Sequence, residues 1–138
     1  MRAVVDASVT AKWYFFEPGR DAADQVLAAR MAGERELLAP DLIVPEFANV
    51  VWKRVRRREC SRAAAVEILG MWEVDRPSLV PSAELVAQAF ELTMALDQSV
   101  YDCLYLALAL EIEAPLVTAD QDLARAARRA EARVELIA

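Results

Sequence analysis

The sequence predicts a three-layer α/β/α fold with a central, mainly parallel sheet of four to five strands. Short, almost wholly apolar segments such as residues 3–5 and 116–118 alternate with longer amphipathic ones, the pattern of a parallel sheet covered by helices on both faces. Apolar residues make up 57% of the 138 positions, which is enough for a packed core. No linker, repeat or change of composition divides the chain, so residues 1–138 are expected to form one domain.

The predicted elements follow one another in a regular order. Strands are expected at residues 3–5, 37–39, 78–80, 116–118 and 134–137, and helices at residues 8–16, 21–31 and 123–130. Four further helices are expected to begin at side chains that accept hydrogen bonds from free backbone N–H groups. These are Asp41 (helix to about residue 58), Ser61 (to about 74), Ser82 (to 96) and Ser99 (to about 111).

The absence of histidine limits the possible chemistry. It excludes Ser-His-Asp and Cys-His catalysis, and every zinc site that needs imidazole. The two cysteines, Cys60 and Cys103, are too few for a disulfide framework and are expected to be reduced. If the protein is an enzyme, its carboxylates must therefore carry the reaction.

Charge and hydropathy bear on location and partners. No apolar run approaches the roughly 20 residues that span a bilayer, and the chain starts with a strand-like segment, so a cytoplasmic protein without membrane contact is expected. The net charge is −6, yet residues 53–62 hold six basic residues and one acid, a local charge of +5. This stretch is a candidate contact for a polyanion, although basic residues at a helix end also complement the helix dipole.

Two acids follow predicted strands. Asp6 closes the first strand and Asp120 follows the fourth, and in an open parallel sheet ligands bind beyond the carboxyl ends of the strands. Each could instead be only a helix N-cap, the usual role of aspartate at such a junction. Their equivalent placement on two strands favours a shared site.

Two further acids lie on predicted helices. Asp102 is the only charge in residues 100–110, where an unpaired buried carboxylate is costly, although a capping box with Ser99 also explains its position. Glu46 lies three residues before Asn49 on a polar stripe of another helix. Four acids without histidine suggest an all-oxygen site for a hard divalent cation, Mg²⁺ or Mn²⁺.

Four segments of the chain resemble the PIN domain. They are residues 4–9 (VVDASV), 40–50 (PDLIVPEFANV), 99–107 (SVYDCLYLA) and 116–120 (LVTAD). Their order and spacing match that family, and together they extend over essentially the whole chain. The closest resemblance is to VapC-type toxins of prokaryotic toxin–antitoxin pairs.

The resemblance implies a metal-dependent endoribonuclease that cleaves single-stranded or structured RNA and is neutralised by a cognate antitoxin. The catalytic and metal-binding acids of the family fall on Asp6, Glu46, Asp102 and Asp120. Its supporting polar positions fall on Ser8, Asn49 and Thr118, with Asp122 as a further acid. The implied cofactor is Mg²⁺ or Mn²⁺ and the implied assembly is a homodimer. The basic residues Lys53, Arg54, Arg57 and Arg58 would then contact the RNA backbone.

Other interpretations are weaker on the residues. A haloacid-dehalogenase-like phosphatase needs a second aspartate two residues after the first, where Ser8 stands. A response-regulator receiver needs paired early acids and a late lysine, and neither is present. An RNA-processing PIN nuclease without an antitoxin and a non-catalytic PIN-like interaction module remain alternatives, and four intact acids favour an enzyme.

Overall fold

The structure, a computed structural model, describes residues 1–137 as a central sheet with helices on both faces. The strands are β1 (Arg2–Val5), β2 (Glu36–Pro40), β3 (Ser78–Val80), β4 (Leu116–Thr118) and β5 (Val134–Leu136). The α-helices are α1 (Ala7–Thr10), α2 (Arg20–Met31), α3 (Ile43–Arg56), α4 (Arg62–Asp75), α5 (Val86–Leu96), α6 (Val100–Glu111) and α7 (Gln121–Arg129). Among the described residues, no helix is both long enough and apolar enough to cross a bilayer.

The sheet has the order β3-β2-β1-β4-β5, and every neighbouring pair is parallel. The predicted parallel sheet of four to five strands is therefore confirmed. Because β1 and β4 are direct neighbours, with Val5 opposite Val117, their carboxyl ends lie side by side. This register brings the segments after the two strands, which begin with Asp6 and Ala119, to the same edge of the sheet.

Strand side chains alternate between two separate cores. Val4 and Ala39 pack with residues of α3, α4, α5 and α6 on one face. Ala3 and Val5 pack with residues of α1 and α2 on the other. Residues 103–109 of α6 are all buried, as expected for a helix that is apolar on every side. The three-layer prediction thus corresponds to two cores separated by the sheet.

Two of the four predicted helix caps are confirmed. The side chains of Ser61 and Ser99 accept hydrogen bonds from backbone N–H groups in the first turns of α4 and α6, each at 3.1 Å. The other two predictions are wrong, because Asp41 and Ser82 bond across the sheet edge instead. Asp41 Oδ1 accepts from the N–H of Ser82 at 3.0 Å, and Ser82 Oγ accepts from the N–H of Leu42 at 3.2 Å. These bonds join the segments that follow the neighbouring strands β2 and β3.

The predicted helix at residues 8–16 is shorter than expected. Its α-helical part, α1, ends at Thr10, and a 3₁₀ turn continues to Trp13. The indole N–H of Trp13 then donates to the carbonyl of Ala23 at 2.9 Å, which fixes the turn against α2. Phe16, at the end of the predicted helix, is 95% exposed.

Candidate active site

Four carboxylates from four different elements line one pocket at the carboxyl edge of the sheet. The pocket has a volume of about 150 Å³ and is lined by Asp6, Ala7, Ser8, Glu46, Asp102, Tyr105 and Asp120. The four acids predicted from the sequence therefore meet, although up to 114 positions separate them along the chain.

Asp6 is the most buried of these acids. It is the N-cap of α1, where Oδ1 accepts the backbone N–H of Val9 at 3.3 Å, so the capping role considered from the sequence is also present. The hydroxyls of Ser8 and Thr118 donate to its two oxygens. Burial raises the pKa of Asp6 to about 6; the three hydrogen bonds oppose this shift and the charge of Asp120 adds to it.

Asp120 combines the same two roles on α7. Its Oδ1 accepts the N–H groups of Asp122 and Leu123 at 2.9 and 3.1 Å, which caps the helix. The backbone N–H of Asp120 itself donates to the hydroxyl of Thr118 at 3.0 Å. Because Thr118 also donates to Asp6, this one buried hydroxyl links the two acids that follow β1 and β4.

Glu46 lies in the first turn of α3 and faces the pocket. Its Oε1 accepts a hydrogen bond from the hydroxyl of Tyr105 on α6. Burial raises the pKa of Glu46, and the charges of Asp6 and Asp102 raise it further, whereas the bond from Tyr105 lowers it. Because Asp6, Glu46 and Asp102 line one pocket, their negative charges repel one another.

Asp102 lies in the first turn of α6. Its backbone N–H bonds to Ser99 as in a capping box, but its side chain accepts a hydrogen bond from Gln98 Nε2 at 2.8 Å. Burial raises the pKa of Asp102 and the charge of Asp120 adds to the rise, whereas the bond from Gln98 lowers it. The carboxylate therefore belongs to the same repelling cluster as Asp6 and Glu46.

In the part of the chain that the structure describes, no lysine or arginine pairs with these acids. Within residues 1–137, none of the four forms a salt bridge, and their side-chain partners are hydroxyl and amide groups. Clustered carboxylates without a counter-charge are expensive in a partly buried pocket. Their oxygens are the donors that Mg²⁺ and Mn²⁺ prefer, so the chemistry of the donor set fits such a cation.

The spacing of the acids bears on how a cation would be held. Within the described residues, no three acidic or cysteine side chains are clustered tightly enough to hold an ion directly as they stand. Mg²⁺ usually keeps several of its waters and is held through only one or two carboxylates. Contact through water therefore fits this pocket better than a tight protein cage.

The other predicted residues fall into two groups. Ser8 and Thr118 support Asp6 as described above. Asn49 is exposed on α3 and does not line the pocket. Asp122 supplies a backbone N–H to Asp120, while its side chain is 79% exposed and pairs with Arg125.

The structure adds two residues that sequence reasoning missed. Tyr105 lies three positions after Asp102 on α6, a spacing that places side chains on one face of a helix. Gln98 lies outside the helix, just before its N-cap Ser99. Tyr105 is 2% exposed and donates to Glu46, and Gln98 donates to Asp102. The available signal was a tyrosine hydroxyl one turn after Asp102, among the otherwise aliphatic residues 104–110 of α6.

Comparisons with known proteins agree with this geometry. A profile of the PIN domain matches residues 3–129. Ribonuclease VapC3 of Pyrobaculum aerophilum is 36% identical over 126 residues, covering 90% of this chain and 93% of the relative. These two findings confirm the resemblance predicted from the sequence.

Solved structures show the same fold at low sequence identity. A VapBC2 structure from Rickettsia felis, bound to a DNA fragment from their promoter, has a TM-score of 0.70 at 16% identity and covers 99% of this chain and 98% of its own. VapC20 of Mycobacterium tuberculosis, a sarcin-ricin loop cleaving toxin, has a TM-score of 0.67 at 20% identity, with 90% and 94% covered. The chain belongs to the PIN-domain family and is similar over nearly its whole length to a VapC ribonuclease.

Proposed function

We propose that this protein is a divalent-metal-dependent endoribonuclease that acts as the toxin of a toxin–antitoxin pair. The observation that carries the proposal is the convergence of Asp6, Glu46, Asp102 and Asp120 on one pocket without a basic partner. The likeness to a VapC ribonuclease supports RNA as the substrate. Because cellular RNA is the proposed substrate, we expect the protein to act in the cytoplasm.

The four acids would hold Mg²⁺ or Mn²⁺. When bound, such an ion neutralises charge on the scissile phosphate and activates water for attack, chemistry that needs no histidine. The residues around the acids keep the carboxylates in place: Ser8 and Thr118 for Asp6, Tyr105 for Glu46, and Gln98 for Asp102. Because these donors are neutral, they orient the carboxylates without cancelling their charge.

The basic stretch at the end of α3 is the proposed contact for the RNA backbone, with one change to the predicted set. Lys53, Arg57 and Arg58 are exposed and have no carboxylate within salt-bridge distance in the described chain. Arg54 instead binds Glu17 and Glu59, and its guanidinium lies 4.6 Å from the centre of the Phe15 ring. Arg54 therefore holds the end of α3 in place and is removed from the proposed RNA contacts.

Exposed apolar surfaces support protein partners. A groove between α3 and α4 is lined by Val44, Ala48, Leu69, Trp72 and the stems of Glu73 and Arg76. On α5, the side chains of Val86, Phe90 and Met94 are 46%, 55% and 73% exposed, and they form a stripe at spacing i, i+4, i+8. Apolar surfaces of this kind mark protein contacts, which fits the expected antitoxin and homodimer.

Cleavage of RNA by the purified protein tests the enzymatic part of the proposal. We expect Mg²⁺ or Mn²⁺ to support endonucleolytic cleavage and EDTA to abolish it, with Asp120→Asn as the inactive control for a contaminating nuclease. Cleavage that survives exhaustive chelation would contradict metal dependence. Absence of cleavage with any RNA would instead favour a non-catalytic interaction module.

The toxin role needs a separate test. If a small reading frame lies immediately upstream of this gene, its product is the candidate antitoxin and should block cleavage when added in stoichiometric amount. An active enzyme that is not inhibited by the neighbouring product would favour an RNA-processing nuclease without an antitoxin.

A further inference from the structure

The face of α3 that begins at the pocket continues as an exposed polar path. Glu46, Asn49, Lys53 and Arg56 follow one another at spacings of three or four residues, so each side chain neighbours the next on the helix surface. With a rise of 1.5 Å per residue, Lys53 lies about 10 Å and Arg56 about 15 Å along the helix from Glu46. Beyond Glu46, all members of this path are exposed.

Trp52 extends the path beside Arg56. It is 52% exposed, whereas the other two tryptophans, Trp13 and Trp72, are buried at 5% and 3%. The guanidinium of Arg56 lies 5.3 Å from the centre of the Trp52 ring, which is a cation–π contact. The pair presents a flat aromatic surface next to a positive charge on the outside of the protein.

These side chains are not used by the fold. Within residues 1–137, neither Lys53 nor Arg56 forms a salt bridge, whereas their neighbour Arg54 is held by two glutamates. The core side of α3 consists instead of Ile43, Phe47 and Val51. The exposed indole of Trp52 and the charged groups of Lys53 and Arg56 are therefore available to a ligand. They follow the helix away from the pocket in which RNA cleavage is proposed.

We infer that Lys53, Arg56 and Trp52, here called the α3 strip, bind the RNA strand that extends from the cleavage pocket, with Trp52 stacking on an unpaired base. The inference rests on the proposed ribonuclease function and assigns residues to substrate binding within it. Charge complementarity supports RNA as the occupant, because the strip is positive in a chain of net charge −6. Aromatic and arginine side chains in a positive groove are the features that bind single-stranded RNA.

The α3 strip is tested by binding and by intrinsic fluorescence in the full-length protein. The probe is a fluorescein-labelled single-stranded RNA of random sequence, and an Asp120→Asn background prevents cleavage. We expect Trp52→Ala to weaken binding about tenfold and Trp52→Phe to restore most of it, since stacking contributes about 1–3 kcal/mol per base. Arg56→Ala and Lys53→Ala should each lower the salt slope of log Kd by about one.

The matched control lies on another surface. Arg128, on α7, is exposed and forms no salt bridge within the described residues. Arg128→Ala should leave RNA affinity unchanged. Because the other two tryptophans are buried, RNA should change the emission of Trp52 selectively, and Trp52→Phe should remove most of this change. In the active protein, Trp52→Ala should raise KM for RNA more than it lowers kcat.

The outcomes separate this inference from the proposed function. If the active protein cleaves RNA and the Asp120→Asn parent binds it, while the strip variants bind as tightly as that parent, the inference is wrong and the ribonuclease function stands. If the variants keep RNA affinity but escape inhibition by the antitoxin, the strip is a protein contact, which also overturns the inference. If the active protein cleaves no RNA and the Asp120→Asn parent binds none, both the inference and the ribonuclease function fail.

Discussion

Two regions of this molecule hold carboxylates in partly buried surroundings, and they do so in opposite ways. The side chain of Glu17, 18% exposed, lies between Lys12 and Arg54, with the Lys12 Nζ to Oε1 distance at 3.2 Å. The four acids of the pocket have only neutral donors as side-chain partners. Glu17 is thus paired with basic residues of the same chain, whereas within residues 1–137 the four acids of the pocket have no basic partner.

We propose that this difference separates a structural carboxylate, Glu17, from the carboxylates of an active site. An acid that stabilises the fold is paired by the protein itself, since an unpaired buried charge is costly. Acids that are oriented by hydroxyl and amide groups keep their charge available for an outside cation. The comparison predicts opposite effects of similar substitutions in the two regions.

Loss of activity is the largest expected effect. Asp6→Asn and Asp120→Asn keep an oxygen that can cap α1 and α7, so the folds should remain intact. We expect RNA cleavage to fall about a thousandfold or more, because removing a metal ligand costs several kcal/mol of transition-state stabilisation. Glu17→Gln should cleave RNA at close to the normal rate. Normal turnover in both aspartate variants would reduce these residues to helix caps.

The pH dependence of stability is expected to show the unpaired charge directly. The pKa of Asp6 rises to about 6 in the folded protein from 3.8, so its contribution to stability is complete below about pH 4 and is lost as the pH rises through about 6. In EDTA, the stability of Asp6→Asn relative to the unsubstituted protein should therefore increase between pH 4 and pH 7, by about 3 kcal/mol at most. Urea unfolding at several pH values measures the difference in unfolding free energy between the two proteins. A difference that does not change with pH would contradict the prediction.

Added Mn²⁺ should stabilise the protein through the pocket. At a concentration of 100 times Kd, the expected gain is about 2.7 kcal/mol. Asp102→Asn removes one repelling charge, so its metal-free form should melt at the same or a higher temperature while its Mn²⁺-dependent increment shrinks. Glu17→Gln is the matched control and should keep the full increment. An unchanged increment together with a much lower metal-free melting temperature would make Asp102 a structural residue.

Disruption of the paired region is expected to affect stability alone. Glu17→Gln leaves Lys12 without a carboxylate partner and Arg54 with Glu59 alone; the side chains of Lys12 and Arg54 are 12% and 24% exposed. We expect a loss of about 2 kcal/mol, below the 3–5 kcal/mol typical of fully buried pairs because water still reaches this one. Thermal unfolding in EDTA checks the value, and no loss would mean that the contact is only a surface ion pair.

The smallest predicted effect concerns the end of the basic stretch. Arg58 follows the last turn of α3 with a φ of 61°, a left-handed conformation that glycine adopts without strain. Arg58→Gly should stabilise the fold by roughly 0.5–1 kcal/mol. If Arg58 contacts RNA as proposed, the same variant should bind RNA more weakly, so unfolding and binding measured together separate the two roles.

Most of the site could be predicted from the sequence because its signals are local. An apolar strand followed by aspartate predicted the positions of Asp6 and Asp120 at one sheet edge, and the single charge of residues 100–110 identified Asp102. The prediction of Glu46 from the residues alone was weaker, since a glutamate on a polar stripe of a helix is usually a solvated surface residue. The resemblance of four segments to the PIN-domain family then assigned Glu46 to the same site as the three aspartates.

The tertiary structure decided which side chains became partners. Asp41 and Ser82 both look like helix caps, yet they bond to each other's segment because β2 and β3 lie side by side. Arg54 looks like its neighbours in the basic stretch until Glu17, 37 positions earlier, is placed beside it. The hydroxyl of Tyr105 reaches Glu46 across 59 positions. Hydrophobic periodicity and capping depend on near neighbours, so the sequence determined the elements and the strand-end acids; contacts between distant segments depend on how the elements pack, and only the folded chain decided them.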